Sequence, residues 1–255
     1  MSQLTGRHEG PTVVAQDIYE ISETPKARLG DSLRIDQRVF HYAQAGAAAL
    51  VAGKLCESAA FAGSLSVVEM DLVVPTEGAV GTYTVYATAN ATDAVTANQF
   101  AEGYLYVYSG SAAQGVGQTY KIRSHTAAAA GGLITITLYD KLIVLISTSA
   151  TVGLISNLYK SVLTQATTSV GIPVGVPLLA VTASYYCWLQ TWGPCNVLKA
   201  GTSARNTQAV VATAAAGAVG IQVAAGSSVI LPQVGYSMDT AANTKYGLVF
   251  LQLAV

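Results

Sequence analysis

The sequence predicts an all-β protein: a β-sandwich or barrel-like fold with an extended N-terminal arm and little helix. Three observations predict it. Short segments alternate apolar and polar residues with a period of two, β-branched and aromatic residues fill these segments, and Gly, Pro or Asn residues bound them. The 255 residues are enough for one large β domain or two small ones with a real core.

The first 35 residues form the predicted arm. They are polar and charged, include Pro11 and Pro25, and show little periodicity. Because few of them suit a core, burial cannot offset the entropy lost when they become ordered. We therefore expect the arm to be mobile in the free protein and fixed by a neighbouring molecule. The basic side chains expected to orient that docking are Arg7, Lys26, Arg28 and Arg34.

Strands are predicted from residue 38 to the end of the chain. The main segments are RVFHY (38–42), SVVEMDLVV (66–74), GTYTVYAT (81–88), GYLYVYSG (103–110), LITITLYD (133–140) and YGLVFLQLAV (246–255). In the fourth segment Tyr104, Tyr106 and Tyr108 share one face and could stack sugars or bases, although core or subunit packing is the commoner use of such a ladder. Two Ala-rich stretches, 45–55 and 98–104, could each form a helical turn or two.

Composition changes little after residue 40, so the clearest boundary is the Gly- and Pro-rich stretch TTSVGIPVGVP (167–177). The sequence therefore predicts an arm over 1–35, a β-rich domain over 36–170 and a C-terminal β-rich domain over 171–255. A middle segment of the second unit covers roughly 98–170.

The stretch SYYCWLQTWGPCNVL (184–198) holds both tryptophans. Trp188 and Trp192 lie four residues apart on a strand, hence on one face and about 13 Å apart. We expect at least one of them to be buried in the core or at a subunit contact, and the dipeptide 193–194 to turn or break the chain. Cys187 and Cys195 miss the spacing of redox and zinc sites. With Cys56, they should be free thiols.

Low charge is the main feature of the composition. Only 11% of residues are charged, against roughly 25% in ordinary globular proteins, and the net charge is −1. No charge lies between Lys160 and Lys199 or between Arg205 and Asp239. Gly and Pro residues interrupt both gaps, which argues against membrane helices. The near-zero net charge also argues against nucleic-acid binding. Contact with other proteins would explain why the surface carries so few charges.

The sequence contains no recognisable catalytic pattern. His8, His41 and His125 are scattered, and GVGQTY (115–120) lacks the third glycine of a dinucleotide loop. Two further candidates, each with a solvated sheet face as the alternative, are the carboxylates Glu69 and Asp71 and the cationic alternation Lys121, Arg123 and His125. We therefore expect no enzyme activity, no catalytic residue, no cofactor and no metal.

Three stretches carry a resemblance to a known class of proteins. They are TPKARLGDSLRIDQRVFHYAQAGAAALVAGKL (24–55), FAEGYLYVYSGSAAQGVGQTYKIRSH (100–125) and GIPVGVPLLAVTASYYCWLQTWGPCNVL (171–198), the last continuing to Val255. Together they resemble virion structural proteins of tailed bacteriophages, of the capsid-decoration or head-accessory type. The order of the pieces carries the likeness, and none of them is a catalytic signature.

The resemblance implies a decoration (cement) protein that binds and stabilises the assembled head. Its expected partner is the major capsid protein lattice, its expected state a homotrimer, and its expected place the capsid exterior after synthesis in the host cytoplasm. No nucleic acid or membrane is expected as a partner. The alternatives are a tail or fibre component that binds a receptor or glycan and, third, an enzyme such as a glycan hydrolase. The aromatic residues expected in the core or at subunit contacts are Trp188, Trp192, Tyr104 and Tyr106.

Overall fold

The protein consists of strands joined by turns in a computed structural model that describes residues 16–59, 68–110, 115–168, 170–222 and 231–255. No helix occurs among these residues, which confirms the all-β prediction. The strands are β1 (Ser32–Ile35), β2 (Arg38–Gln44), β3 (Cys56–Glu57), β4 (Val68–Val73), β5 (Thr84–Thr88), β6 (Tyr104–Ser109), β7 (Thr119–His125), β8 (Leu133–Leu138), β9 (Thr151–Ile155), β10 (Leu163–Thr164), β11 (Pro173–Pro177), β12 (Tyr186–Leu198), β13 (Gln208–Val211), β14 (Val219–Ile221), β15 (Gln233–Ser237) and β16 (Tyr246–Gln252).

The strands form two curled antiparallel sheets. The larger sheet has the order β10-β3-β11-β12-β16-β15-β13-β14, with β2 paired to β12 and β1 to β2. The smaller has the order β4-β9-β6-β7-β8-β5, so its strands all come from residues 68–155, between β3 and β10. The chain therefore leaves the larger sheet after β3 and returns to it at β10. Neither change falls at the boundary predicted near residue 170, because β10 and β11, on either side of that boundary, belong to the same sheet.

Each sheet buries its own apolar side chains. In the smaller sheet, alternate residues such as Leu105, Ile122 and Ile136 are fully buried in one large cluster. The larger sheet divides its core among three clusters, one of which contains Val197 and Leu251. Burying a side chain of this size contributes about 1.5–3 kcal/mol.

The described part of the predicted arm, residues 16–35, packs against the larger sheet. Ile18 and Leu29 are buried beside Phe40, and residues 32–35 pair with β2 as strand β1. The expectation that the arm orders only on binding is therefore wrong for these residues. Periodicity could not predict this contact, because Ile18 and Leu29 are far apart in a segment of turns and bends. Each packs singly against the aromatic cluster that contains Phe40.

Strand β12 runs without interruption through the predicted turn at Gly193 and Pro194. Its first half pairs with β2 and its second half with β16. Gly193 has a φ of +87°, and a Cβ there would meet the carbonyl oxygen of Gln37 at 2.5 Å. Glycine thus permits the close approach of the β1–β2 turn, rather than ending the strand. The two Ala-rich helix candidates are also wrong: they form turns and isolated bridges.

Candidate functional site

The basic residues predicted for docking lie in different settings. Arg7 is outside the described residues, whereas Lys26 and Arg34 are exposed. Arg28 is exposed as well, but its guanidinium lies 5.0 Å from the ring centroid of Tyr139, at the end of β8. One predicted docking cation is therefore engaged within the molecule, in a cation–π contact.

A polar cluster surrounds this contact where the two sheets meet. The ammonium of Lys121 lies 3.2 Å from a carboxylate oxygen of Glu102. The Tyr139 hydroxyl donates to the same carboxylate, and this hydrogen bond raises the pKa of Tyr139. The side-chain amide of Asn157 donates to the carbonyls of Leu29, at 3.0 Å, and Glu102, at 2.9 Å. The cluster thus ties the N-terminal segment to the smaller sheet.

The two tryptophans occupy different environments. Trp188 is 2% exposed, meets Tyr42 edge-on at 5.0 Å, and donates its indole N–H to the carbonyl of Gln16 at 3.0 Å. Trp192 is only half-buried and meets Phe250 edge-on at 5.7 Å. The N-terminal segment covers the first indole, so Trp188 is a core residue and Trp192 a partly open one.

Trp192 borders an apolar outer surface of the larger sheet, which we call the uncharged face. The outward side chains of β12, β16 and β15 and of the residue after β15 form it: Trp192, Pro194, Leu198, Tyr246, Leu248, Phe250, Tyr236 and Met238. Tyr236, Met238, Tyr246 and Leu248 are each 37–45% exposed. The polar side chains between them, such as Asn196 and Gln252, are uncharged. Aromatic residues and Met are enriched, and charges depleted, at the centres of protein interfaces.

The tyrosine ladder lies on the outer surface of the smaller sheet. Tyr104 is 44% exposed, and Tyr106 and Tyr108 are half-buried, whereas the intervening Leu105 and Val107 are buried. Core packing, the commoner use of such a ladder, therefore does not apply to these rings. They remain available to a partner or ligand.

The three cysteines, His41 and His125 are packed in the interior, whereas His8 lies outside the described residues. The three cysteines are buried free thiols, as predicted, and burial raises the pKa of Cys187 and Cys195 to about 12. His41 stacks on Tyr159 with ring centroids 5.0 Å apart, and burial lowers its pKa. His125 is 4% exposed and faces the core, so it does not join Lys121 in a cationic row.

Two buried charged groups escaped sequence reasoning. Lys199 is 2% exposed and donates to the Ser237 hydroxyl at 3.0 Å, and burial lowers its pKa. Glu57 is 1% exposed and accepts backbone N–H groups from Ala166, at 3.0 Å, and Gly171, at 3.3 Å. Each charge lies at or next to a strand end, where a solvated side chain is the usual expectation. Glu57 thus holds the segment between β10 and β11, and Lys199 joins the end of β12 to the end of β15.

Among the described residues, no group of three or more His, Cys, Asp or Glu side chains could hold a metal ion. No helix in that part of the chain is long and apolar enough to cross a bilayer. Comparison of the chain with protein-family models, curated proteins and solved structures found no match. The candidate functional features are therefore the two outer faces, one uncharged and one lined by tyrosines.

Proposed function

We propose that the protein is a capsid decoration protein of a tailed bacteriophage that binds the major capsid protein lattice from outside as a homotrimer. The observation that carries the proposal is the uncharged face of β12, β15 and β16. Four of its large side chains are 37–45% exposed, and its outward side chains carry no charge; a carboxylate, that of Asp239, lies at its edge, where it accepts the backbone N–H of Leu248 at 2.8 Å. A contiguous apolar surface of this kind marks a protein contact. Its sequence segment is also one of those that resemble head-accessory proteins.

The mechanism would be stabilisation by mass action. A protein that binds only the assembled shell shifts the equilibrium toward that shell. The expected partner surface is itself neutral, because burying an unpaired charge against this face would be costly. No side-chain chemistry is required for such a role.

Quantitative mass spectrometry of purified virions tests the proposal first. A decoration protein should be present in numbers comparable with the major capsid protein. A tail or fibre component would be present in far fewer copies, and that result would contradict the proposal.

A charge introduced into the uncharged face gives a second test. Leu248→Lys should weaken attachment to heads lacking the protein by about tenfold or more, since contact with the lattice would remove its ammonium group from water. The matched control is Leu133→Lys on the smaller sheet, where the leucine is 53% exposed. Sedimentation of both variants separates loss of the trimer from loss of lattice binding. Equal attachment of Leu248→Lys and wild type would exclude this face as the contact.

A further inference from the structure

The tyrosine-bearing surface of the smaller sheet contains a second candidate site, separate from the uncharged face. Tyr106 and Tyr108 lie with ring centroids 5.8 Å apart and planes inclined by 43°. Beside them, the carboxylate of Asp71 accepts a hydrogen bond from the Tyr108 hydroxyl. Asp71 is exposed. Two aromatic rings and an acceptor therefore meet at the outer surface of β4, β6 and β9.

Gly153 determines how the ring of Tyr106 lies. On β9 it pairs with Tyr106, and a Cβ at this position would overlap the end of that ring. The ring therefore lies across the glycine, over the backbone of the neighbouring strand. This packing supports the sheet, since an aromatic side chain can cover a cross-strand glycine. It also leaves the ring half-exposed as a platform on the sheet surface.

Asp71 is held in its position by an irregularity of β4. The pairing of β4 with β9 shifts register between Glu69 and Leu72, and Asp71 has a φ of +58°. Left-handed backbone at a non-glycine residue costs free energy and clusters at functional sites. Bulges often re-aim a side chain next to a binding site. Here the bulge places the carboxylate beside the two tyrosines.

We propose that Tyr106, Tyr108 and Asp71 bind a neutral saccharide. The half-exposed rings offer flat apolar surfaces for the C–H face of a pyranose, and the Asp71 carboxylate and the Tyr108 hydroxyl offer hydrogen-bond partners for its hydroxyls. The charge of Asp71 selects against anionic ligands, including acidic sugars and nucleic acids. The ligand class follows from this combination of ring faces, an acceptor and negative charge.

The test uses the full chain and soluble probes: cellohexaose, maltohexaose and chitohexaose as neutral sugars, and hexagalacturonic acid as the anionic comparison. Binding is measured by isothermal titration calorimetry, and the fold of each variant by its melting curve. Tyr106→Ala and Tyr108→Ala should weaken binding of a neutral probe by about tenfold, the order expected when a stacking partner is lost. Tyr106→Phe should keep it, since the ring remains. Asp71→Asn should weaken it while keeping the backbone, because Asn tolerates a positive φ.

The matched control is Tyr83→Ala, which removes another exposed tyrosine, 45% exposed, outside the site. It should bind as wild type does. The proposal is overturned if no neutral probe binds wild type, if Tyr106→Ala and Asp71→Asn bind as wild type does, or if hexagalacturonic acid binds more tightly than the neutral sugars. Because the uncharged face is untouched, head attachment of these variants reports separately on the proposed capsid role.

Discussion

Replacing Trp188 with alanine tests whether the N-terminal segment is part of the folded body. The indole is 2% exposed, packs on Tyr42 and donates to the carbonyl of Gln16. Truncating a buried aromatic side chain costs about 3–5 kcal/mol. Stranding the carbonyl adds about 1 kcal/mol. Since a typical domain has about 5–15 kcal/mol of stability in total, Trp188→Ala should lose a large part of it.

Urea unfolding followed by far-ultraviolet circular dichroism measures the loss. Trp192→Ala is the matched comparison: this indole is half-buried, so the variant should lose only about 1–2 kcal/mol. Trp188→Phe keeps most of the packing but removes the N–H donor, and should fall between them. If Trp188→Ala and Trp192→Ala unfold at the same urea concentration, the assignment of Trp188 to a core closed by residues 16–29 is wrong.

Three further predictions follow from the same packing. The three cysteines should react with Ellman's reagent at pH 8 only after unfolding, because burial raises the pKa of each thiol; fast reaction of the native protein would contradict this. Burial lowers the pKa of His41 and His125 below 6.5, so the unfolded chain binds more protons below that pH. The free energy of unfolding should therefore fall as pH drops from 7 toward 5. A variant carrying both His41→Gln and His125→Gln should show a smaller fall. Deleting residues 2–30 should lower the melting temperature, since Ile18 and Leu29 leave the core; an unchanged melting curve would refute their role.

The strand content was predictable because alternation of apolar and polar residues is a local property. In β6 and β8 the residues expected to share a face do so, with Leu105, Val107, Ile134 and Ile136 buried. The free state of the cysteines also followed, from their spacing together with the expected synthesis in a cytoplasm. The residues that make these elements recognisable are neighbours in sequence, so no knowledge of the tertiary structure was needed.

The arrangement of the sheets was not predictable in the same way. Strands β2 and β12 pair although well over a hundred residues separate them, and the whole smaller sheet lies between β3 and β10. The burial of Trp188 depends on Gln16 and Ile18, which approach it only in the folded chain. Nothing in the local pattern distinguishes it from Trp192, which lacks such a cover.

Register shifts in strand pairing explain why some side chains lie in environments that the alternation of apolar and polar residues does not predict. In β7 the register shifts between Ile122 and Ser124, and His125 consequently turns inward instead of joining Lys121 on the outer face. Its ring then accepts the backbone N–H of Phe100 at 2.9 Å, which requires the neutral form. In β4 a similar shift directs Asp71 toward the tyrosines. A bulge inserts one residue and so changes the side on which later residues lie. A β-bulge therefore buries the titratable side chain of His125 in β7 and places that of Asp71 beside the aromatic rings in β4. The position of a bulge depends on pairing partners that are distant in sequence, so the local pattern of residues does not predict it.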